Sequence, residues 1–139
     1  MHYAEPSSRQ RILIVDDEES TRLLLARLMA TELKLESQLA GTCEQALRLA
    51  GAHAYDAITL DLIMPGIGGL EVLKKIRAGS LNARTPIVVV SIIGEQGMID
   101  QCTAAGANAY HVKPVRRAEL VATVKDQLAA RAKSATTIK

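Results

Sequence analysis

Three short apolar runs constrain this chain more than any other feature. Ile12-Leu13-Ile14-Val15, Ala57-Ile58-Thr59-Leu60 and Ile87-Val88-Val89-Val90 are rich in β-branched residues and carry no polar alternation. Runs of this length and composition fit strands covered on both faces. Each stops on a small polar or acidic side chain: Asp16-Asp17 after the first, Asp61 after the second and Ser91 after the third. Two weaker strands are expected at residues 37–40 and 109–112.

Helical patterns fill the intervals. Over residues 19–33, Leu24, Leu25, Leu28 and Met29 fall on one face, with Arg22 and Arg27 elsewhere. Thr42 and Gln45 have capping-box spacing, with Thr42 as N-cap of a helix over 43–50 and Gly51 as its stop. Leu70, Leu73 and Ile76 form a stripe closed by Gly79. Met98, Ile99, Cys102 and Ala105 form another, ended by Gly106. Leu120, Val121, Val124 and Leu128 align on a last helix over 116–130. Strand and helix thus alternate five times. That order predicts an α/β domain, a doubly wound five-stranded parallel sheet flanked by five helices with right-handed crossovers. The expected division is a flexible leader at 1–10, one domain over 11–130 and a flexible, fraying tail over 131–139.

Composition narrows the function. A chain of 139 residues can bury a core without disulfides or structural metal. Its two cysteines, Cys43 and Cys102, are far apart and lack C-x-x-C spacing, so they read as small buried hydrophobes. No apolar run is long enough to span a bilayer, and the first ten residues lack the apolar segment of a secretion signal, so a cytoplasmic protein without membrane contact is expected. The net charge of +2 is set by the tail, where Arg131, Lys133 and Lys139 stand without an acid. With Glu5 and Arg9 also set aside, residues 11–130 carry 13 basic and 14 acidic side chains. The chain has no Phe, no Trp and three Tyr, too few for a base-stacking platform. Direct nucleic-acid binding is therefore not expected.

The chemistry is expected where the strands end, because open parallel sheets bind ligands beyond their carboxyl edge. Asp16, Asp17, Asp61 and Ser91 all fall there, and the fifth strand is followed at once by Lys113-Pro114. One polar strand end means little. Acids clustered at corresponding strand ends would repel unless something neutralised them. A hard divalent cation such as Mg²⁺ does so with oxygen ligands, and no His or Cys sits at a matching end to favour zinc. Lys113 adds a compact cation for an anion and Ser91 a hydroxyl donor. Together these groups suit phosphoryl transfer to a carboxylate.

The stretches ILIVDDEES, ITLDLIMPGIGGLEVL, PIVVVSIIGEQ and GANAYHVKPV, in that order and spacing, resemble the receiver domain of two-component response regulators over residues 11–130. The S-x-x-G-E-Q wording after the fourth strand is similar to stand-alone chemotaxis proteins of the CheY type. The resemblance implies a flavodoxin-like, CheY-like topology. It implies Asp61 as phosphoacceptor, Asp16, Asp17, Asp61 and the Ile63 carbonyl as Mg²⁺ ligands, and Lys113 and Ser91 as partners of the phosphoryl group. Tyr110 would be an aromatic switch moving inward as Ser91 is drawn to the phosphoryl group. A histidine kinase or histidine phosphotransfer protein would supply phosphate. A downstream protein target would bind the face of the fourth helix, fifth strand and fifth helix, and a phosphorylation-linked homodimer stays open. The same residues serve a phosphorelay intermediate or the receiver module of a longer regulator. Such a protein is not an enzyme beyond its own phosphorylation and dephosphorylation.

Other motifs carry structural expectations. Pro114 fixes the lysine's backbone, with a cis bond available after Lys113. Gly66, Gly68 and Gly69 serve the turn into the third helix. The sequence departs from the family pattern at Ile92, where a small residue is common, and this predicts narrowed phosphate access. Ile63 and Ile93 stand at positions that flank the hydrolytic water in receivers, which predicts slow self-dephosphorylation. An aspartate-nucleophile phosphatase wants a second carboxylate two residues after the nucleophile, where Ile63 stands. A nucleotide-binding flavodoxin-like protein would want a glycine-rich phosphate loop that is missing here.

Overall fold

A computed structural model describes residues 9–79 and 81–137, with side chains as far as residue 133. The elements run β1 (Arg11–Val15), α1 (Glu19–Leu33), β2 (Glu36–Ala40), α2 (Cys43–Ala52), β3 (Ala57–Leu60), α3 (Gly69–Ala78), β4 (Ile87–Ser91), α4 (Gln96–Ala104), β5 (Ala109–Val112) and α5 (Arg117–Thr137). The five strands form one sheet in the order β2-β1-β3-β4-β5, every pair parallel. The chain winds outward in both directions from β1 and β3. Their carboxyl ends therefore face a crevice with no crossover above it.

The uninterrupted apolar strands are explained by cover on both faces. Leu13, Val15, Ile58, Leu60, Ile87 and Val89 point into a core closed by α2, α3 and α4. Ile12, Ile14, Ala57, Val88 and Val90 point the other way, against Leu25 and Met29 of α1 and Leu120 and Val124 of α5. Both free cysteines are buried in the first core. No helix among the described residues is long and apolar enough to cross a membrane.

Several expected details change. Leu24 is 45% exposed, and only Leu25 and Met29 of the expected α1 stripe are buried. The i, i+4 pair sets the rotation of the helix, and Leu24 turns toward a groove shared with Arg117 of α5. Thr42 does cap α2, accepting from the Gln45 amide at 3.1 Å, but Gly51 does not end it. The helix runs on to Ala52, and Asn82 Nδ2 donates to the carbonyls of Ala50 at 2.7 Å and His53 at 2.8 Å. Helix α5 does not stop at Ala130. Its last stretch is rich in Ala, Lys and Arg, all strong helix formers, and Arg131 Nη1 donates to the Tyr55 carbonyl at 2.7 Å. The expected tail is thus helical as far as Thr137. Of the expected leader, only Arg9 and Gln10 lie within the described residues.

Candidate functional site

Four strand ends build one pocket. β1 delivers Asp16 and Asp17, β3 delivers Asp61, β4 ends on Ser91, and β5 leads into Lys113. Backbone bonds hold these ends level. The Asp16 amide donates to the Ala40 carbonyl at 3.1 Å, the Asp61 amide to Val15 at 2.9 Å, and the Lys113 amide to Ser91 at 2.8 Å. The Lys113–Pro114 peptide is cis.

Asp16, Asp17 and Asp61 each bring one carboxylate oxygen to within 4.8 Å of the others. Asp16 and Asp61 are buried and Asp17 is exposed. Lys113 Nζ donates to Asp16 Oδ2 at 2.9 Å and to Asp61 Oδ2 at 3.2 Å. The remaining oxygens of the two buried acids are held by backbone. The Glu18 amide donates to Asp16 Oδ1 at 2.9 Å and the Ile63 amide to Asp61 Oδ1 at 3.1 Å.

Burial raises the Asp61 pKa, opposed by the Ile63 amide and the Lys113 ammonium and reinforced by the charge of Asp16. Burial alone would lower the Lys113 pKa, but Asp16 and Asp61 outweigh it and raise it. The ammonium is held charged between two buried, poorly solvated carboxylates. All three acidic groups offer hard oxygen donors, which fits Mg²⁺ and not a softer metal.

Ser91 is fully buried, and its Oγ accepts the Ile93 amide at 3.2 Å. The Tyr110 hydroxyl donates to the Ile93 carbonyl. Burial raises the Tyr110 pKa, with Ser91 partly countering it. The Ile93 residue thus links serine and tyrosine, one at its amide and one at its carbonyl. Ile63 and Ile92 are 47% and 66% exposed. Ile92 extends into solvent.

Two supports escape local sequence reading. Gly69 was expected to serve a turn, yet a Cβ there would lie 2.4 Å from the Asp61 carbonyl oxygen. The first turn of α3 rests directly on the backbone of Asp61. Arg22, on α1, donates from Nη1 to the Asp16 carbonyl at 2.7 Å. Its place one turn beyond the acid pair is the only sequence signal it gives.

The comparisons with known proteins agree with this geometry. A family model described as response regulator receiver domain matches residues 12–125. The sensory/regulatory protein RpfC of Xanthomonas campestris pv. campestris is 37% identical over 118 residues, which are 84% of this chain and 16% of RpfC. The transcriptional regulatory protein ResD of Bacillus subtilis is 35% identical over 121 residues, which are 87% of this chain and 49% of ResD. The chain thus spans half or less of the length of either relative. Among solved structures, the receiver domain of sensor histidine kinase PA1611 from Pseudomonas aeruginosa superposes with a TM-score of 0.79 at 30% identity, covering 87% of this chain and 98% of that one. That crystal structure has a magnesium ion coordinated in its active-site cleft. A CheY-like receiver domain protein from Methanospirillum hungatei gives a TM-score of 0.81 at 25% identity, covering 91% of this chain and 98% of that one.

Proposed function

The chain belongs to the response regulator receiver domain family, and from that premise we propose that it is a cytoplasmic phosphorylation switch whose phosphoacceptor is Asp61. The observation that carries the reading is the meeting of three carboxylates with Lys113 bridging two of them. Two buried carboxylates need a countercharge in any case, and at a site that receives a phosphoryl group the same ammonium can pass from carboxylate to phosphoryl oxygen.

In this reading an Asp61 carboxylate oxygen attacks the phosphorus of a phosphohistidine or of a small acyl phosphate. The new bond is an acyl phosphate and the bond to the donor breaks; an imidazole leaving group takes up a proton from solvent, while a carboxylate leaving group departs as its anion. Asp16, Asp17, Asp61 and the Ile63 carbonyl would hold Mg²⁺, which when bound neutralises charge on the phosphoryl oxygens. Lys113 releases Asp61 and pairs with the phosphoryl group. The Ser91 hydroxyl, which already accepts from the Ile93 amide, donates its own proton to a phosphoryl oxygen. Drawing Ser91 inward breaks its bond to Ile93 and loosens the Tyr110 hydroxyl at the other end of the same residue. That is the step by which a new charge reaches the α4-β5-α5 face, where a downstream protein binds.

The test is labelling by a radioactive acyl phosphate with Mg²⁺. Wild type takes up label, Asp61→Asn does not, and Lys113→Ala does so weakly or without changing the α4-β5-α5 face. An unlabelled wild type overturns the reading, and label in Asp61→Asn moves the site elsewhere. A second reading, passage of phosphate onward to another histidine, is favoured by the similarity to a sensory/regulatory protein and to the receiver domain of a sensor histidine kinase. Loss of label from Asp61 to a purified histidine phosphotransfer domain would distinguish it.

A further inference from the structure

Arg22 lies outside the acid cluster, yet its guanidinium reaches the pocket's backbone. Nη1 donates to the Asp16 carbonyl at 2.7 Å. That carbonyl belongs to the peptide joining Asp16 to Asp17, so the contact fixes the plane from which Asp17 departs. Asp17 has no such restraint from its own exposed side chain. Asp16 is already fixed by the Glu18 amide and by Lys113. Of the three acids, Asp17 is therefore the one whose aim depends on its backbone.

The guanidinium has a seat made for it. It lies against Gly41, in the turn after β2, where a Cβ would stand 2.7 Å from Arg22 Nη1 and 3.1 Å from Cζ. Any side chain at Gly41 would occupy the guanidinium's place. Gly41 has no left-handed φ, so alanine meets no backbone strain there. The colliding atoms are the far end of a flexible side chain, which can swing away into solvent. Glycine at this position is thus explained by what Arg22 needs and not by the turn itself.

We propose that Arg22, seated on Gly41, is a positioning residue that holds the Asp16–Asp17 peptide in the orientation needed to bind a divalent cation. The proposal rests on the reading of the acid cluster as an Mg²⁺ site. Preorganised ligands bind more tightly because ordering them costs nothing at the moment of binding. Arginine suits the role because its rigid fork fixes direction as well as charge.

The experiment is calorimetric titration of Mg²⁺ into wild type, Arg22→Ala, Arg22→Lys, Gly41→Ala and the Arg22→Ala/Gly41→Ala double variant, all at a temperature where circular dichroism shows each fully folded. Arg22→Ala is expected to weaken Mg²⁺ binding about 10-fold, the low end of the roughly 10–100-fold loss typical when an outer support of a metal ligand is removed. Arg22→Lys recovers part of the loss. Gly41→Ala weakens binding to the same degree although Arg22 is still present, and the double variant is no worse than either single one. Phosphorylation by an acyl phosphate should show a higher half-saturating Mg²⁺ concentration with the plateau rate preserved. Wild-type affinity in Arg22→Ala overturns the proposal alone, as does additivity in the double variant. A wild type that binds no Mg²⁺ overturns the reading of the site and the proposal with it.

Discussion

Replacing Lys113 with methionine isolates the electrostatics of the pocket. Methionine keeps an unbranched apolar stem and deletes the ammonium. That ammonium lies 2.9 Å from Asp16 Oδ2 and 3.2 Å from Asp61 Oδ2, and both carboxylates are buried. With charge centres about 4 Å apart and an effective dielectric of about 20, each contact is worth roughly 4 kcal/mol before solvation is counted. Removing one partner of a buried pair typically costs about 3–5 kcal/mol, since the other charge stays behind. Two routes relieve that cost here. Asp61 can take up a proton, because burial already raises its pKa. Water can also approach beside exposed Asp17. The expected loss without divalent cation is therefore about 2–3 kcal/mol, read as a lower urea midpoint with an unchanged slope. Mg²⁺ then acts oppositely. A ligand of the folded state stabilises it by RT ln(1 + [L]/Kd), about 2.7 kcal/mol at a hundred times Kd. Three acids freed of their lysine attract the ion more strongly, so Kd falls and Mg²⁺ narrows the gap between variant and wild type. Urea unfolding followed by circular dichroism, in EDTA and across an Mg²⁺ series, reads both effects. A variant as stable as wild type in EDTA refutes the pairing, and equal Mg²⁺ stabilisation of both proteins refutes the shared pocket.

Other outcomes follow from particular groups. Asn82→Ala removes two donors and two acceptor contacts that bind Ala50, His53, Tyr55 and Thr85, and urea unfolding should register a loss of about 3–5 kcal/mol. Thr59→Val deletes a buried hydroxyl with no hydrogen-bond partner among the described residues and should stabilise by about 1 kcal/mol by the same measurement. Burial lowers the His111 pKa, partly opposed by Glu119. The folded state then resists protonation, so stability present above the unfolded value of about 6.5 is lost as pH falls below it. Unfolding midpoints for His111→Gln should fall less between neutral and mildly acidic pH than those of wild type. Phospho-Asp61 should outlive the seconds timescale without a phosphatase, because Ile63 and Ile93 cannot orient a water, and Ile63→Asn should shorten it. Decay within seconds in wild type removes that account.

Much of this was legible because burial on both faces leaves a strand with no polar alternation. The three apolar runs located β1, β3 and β4, and their ends located Asp16, Asp17, Asp61 and Ser91 on one edge. Leu24 was misread because Leu23, Leu24, Leu25 and Ala26 form an apolar block that covers every side of one helical turn. Periodicity cannot choose a rotation there; packing of Leu25 and Met29 does. The length of α5 was hidden because the apolar stripe ends at Leu128, while helix propensity and the Arg131 bond to Tyr55 carry the helix on. Asn82 sits between Leu81 and Ala83 in a loop that looks solvated. Its partners come from α2, from the segment before β3 and from Thr85, so no local pattern could mark it as buried.

The two ends of the sheet solve opposite problems. At the amino end of the strands, polar groups are neutral or fully engaged. Asn82 uses every donor and acceptor it has, and Arg77 spends its guanidinium on the carbonyls of Asn82, Ala83 and Gly106 and on Asn108 Oδ1. Such groups gain nothing by moving. At the carboxyl end, two buried acids share one lysine beside an exposed third acid, and the Ser91 hydroxyl accepts from a loop amide at 3.2 Å. Those groups can exchange partners at small cost when a new charge arrives. A switch needs this asymmetry. If both ends were equally saturated, an added phosphoryl group would find no partner to win, and if both were equally unsatisfied the fold would shift as a whole. Ile93 carries bonds to both the site serine and the half-buried Tyr110, which would give such a rearrangement a defined way out of the pocket.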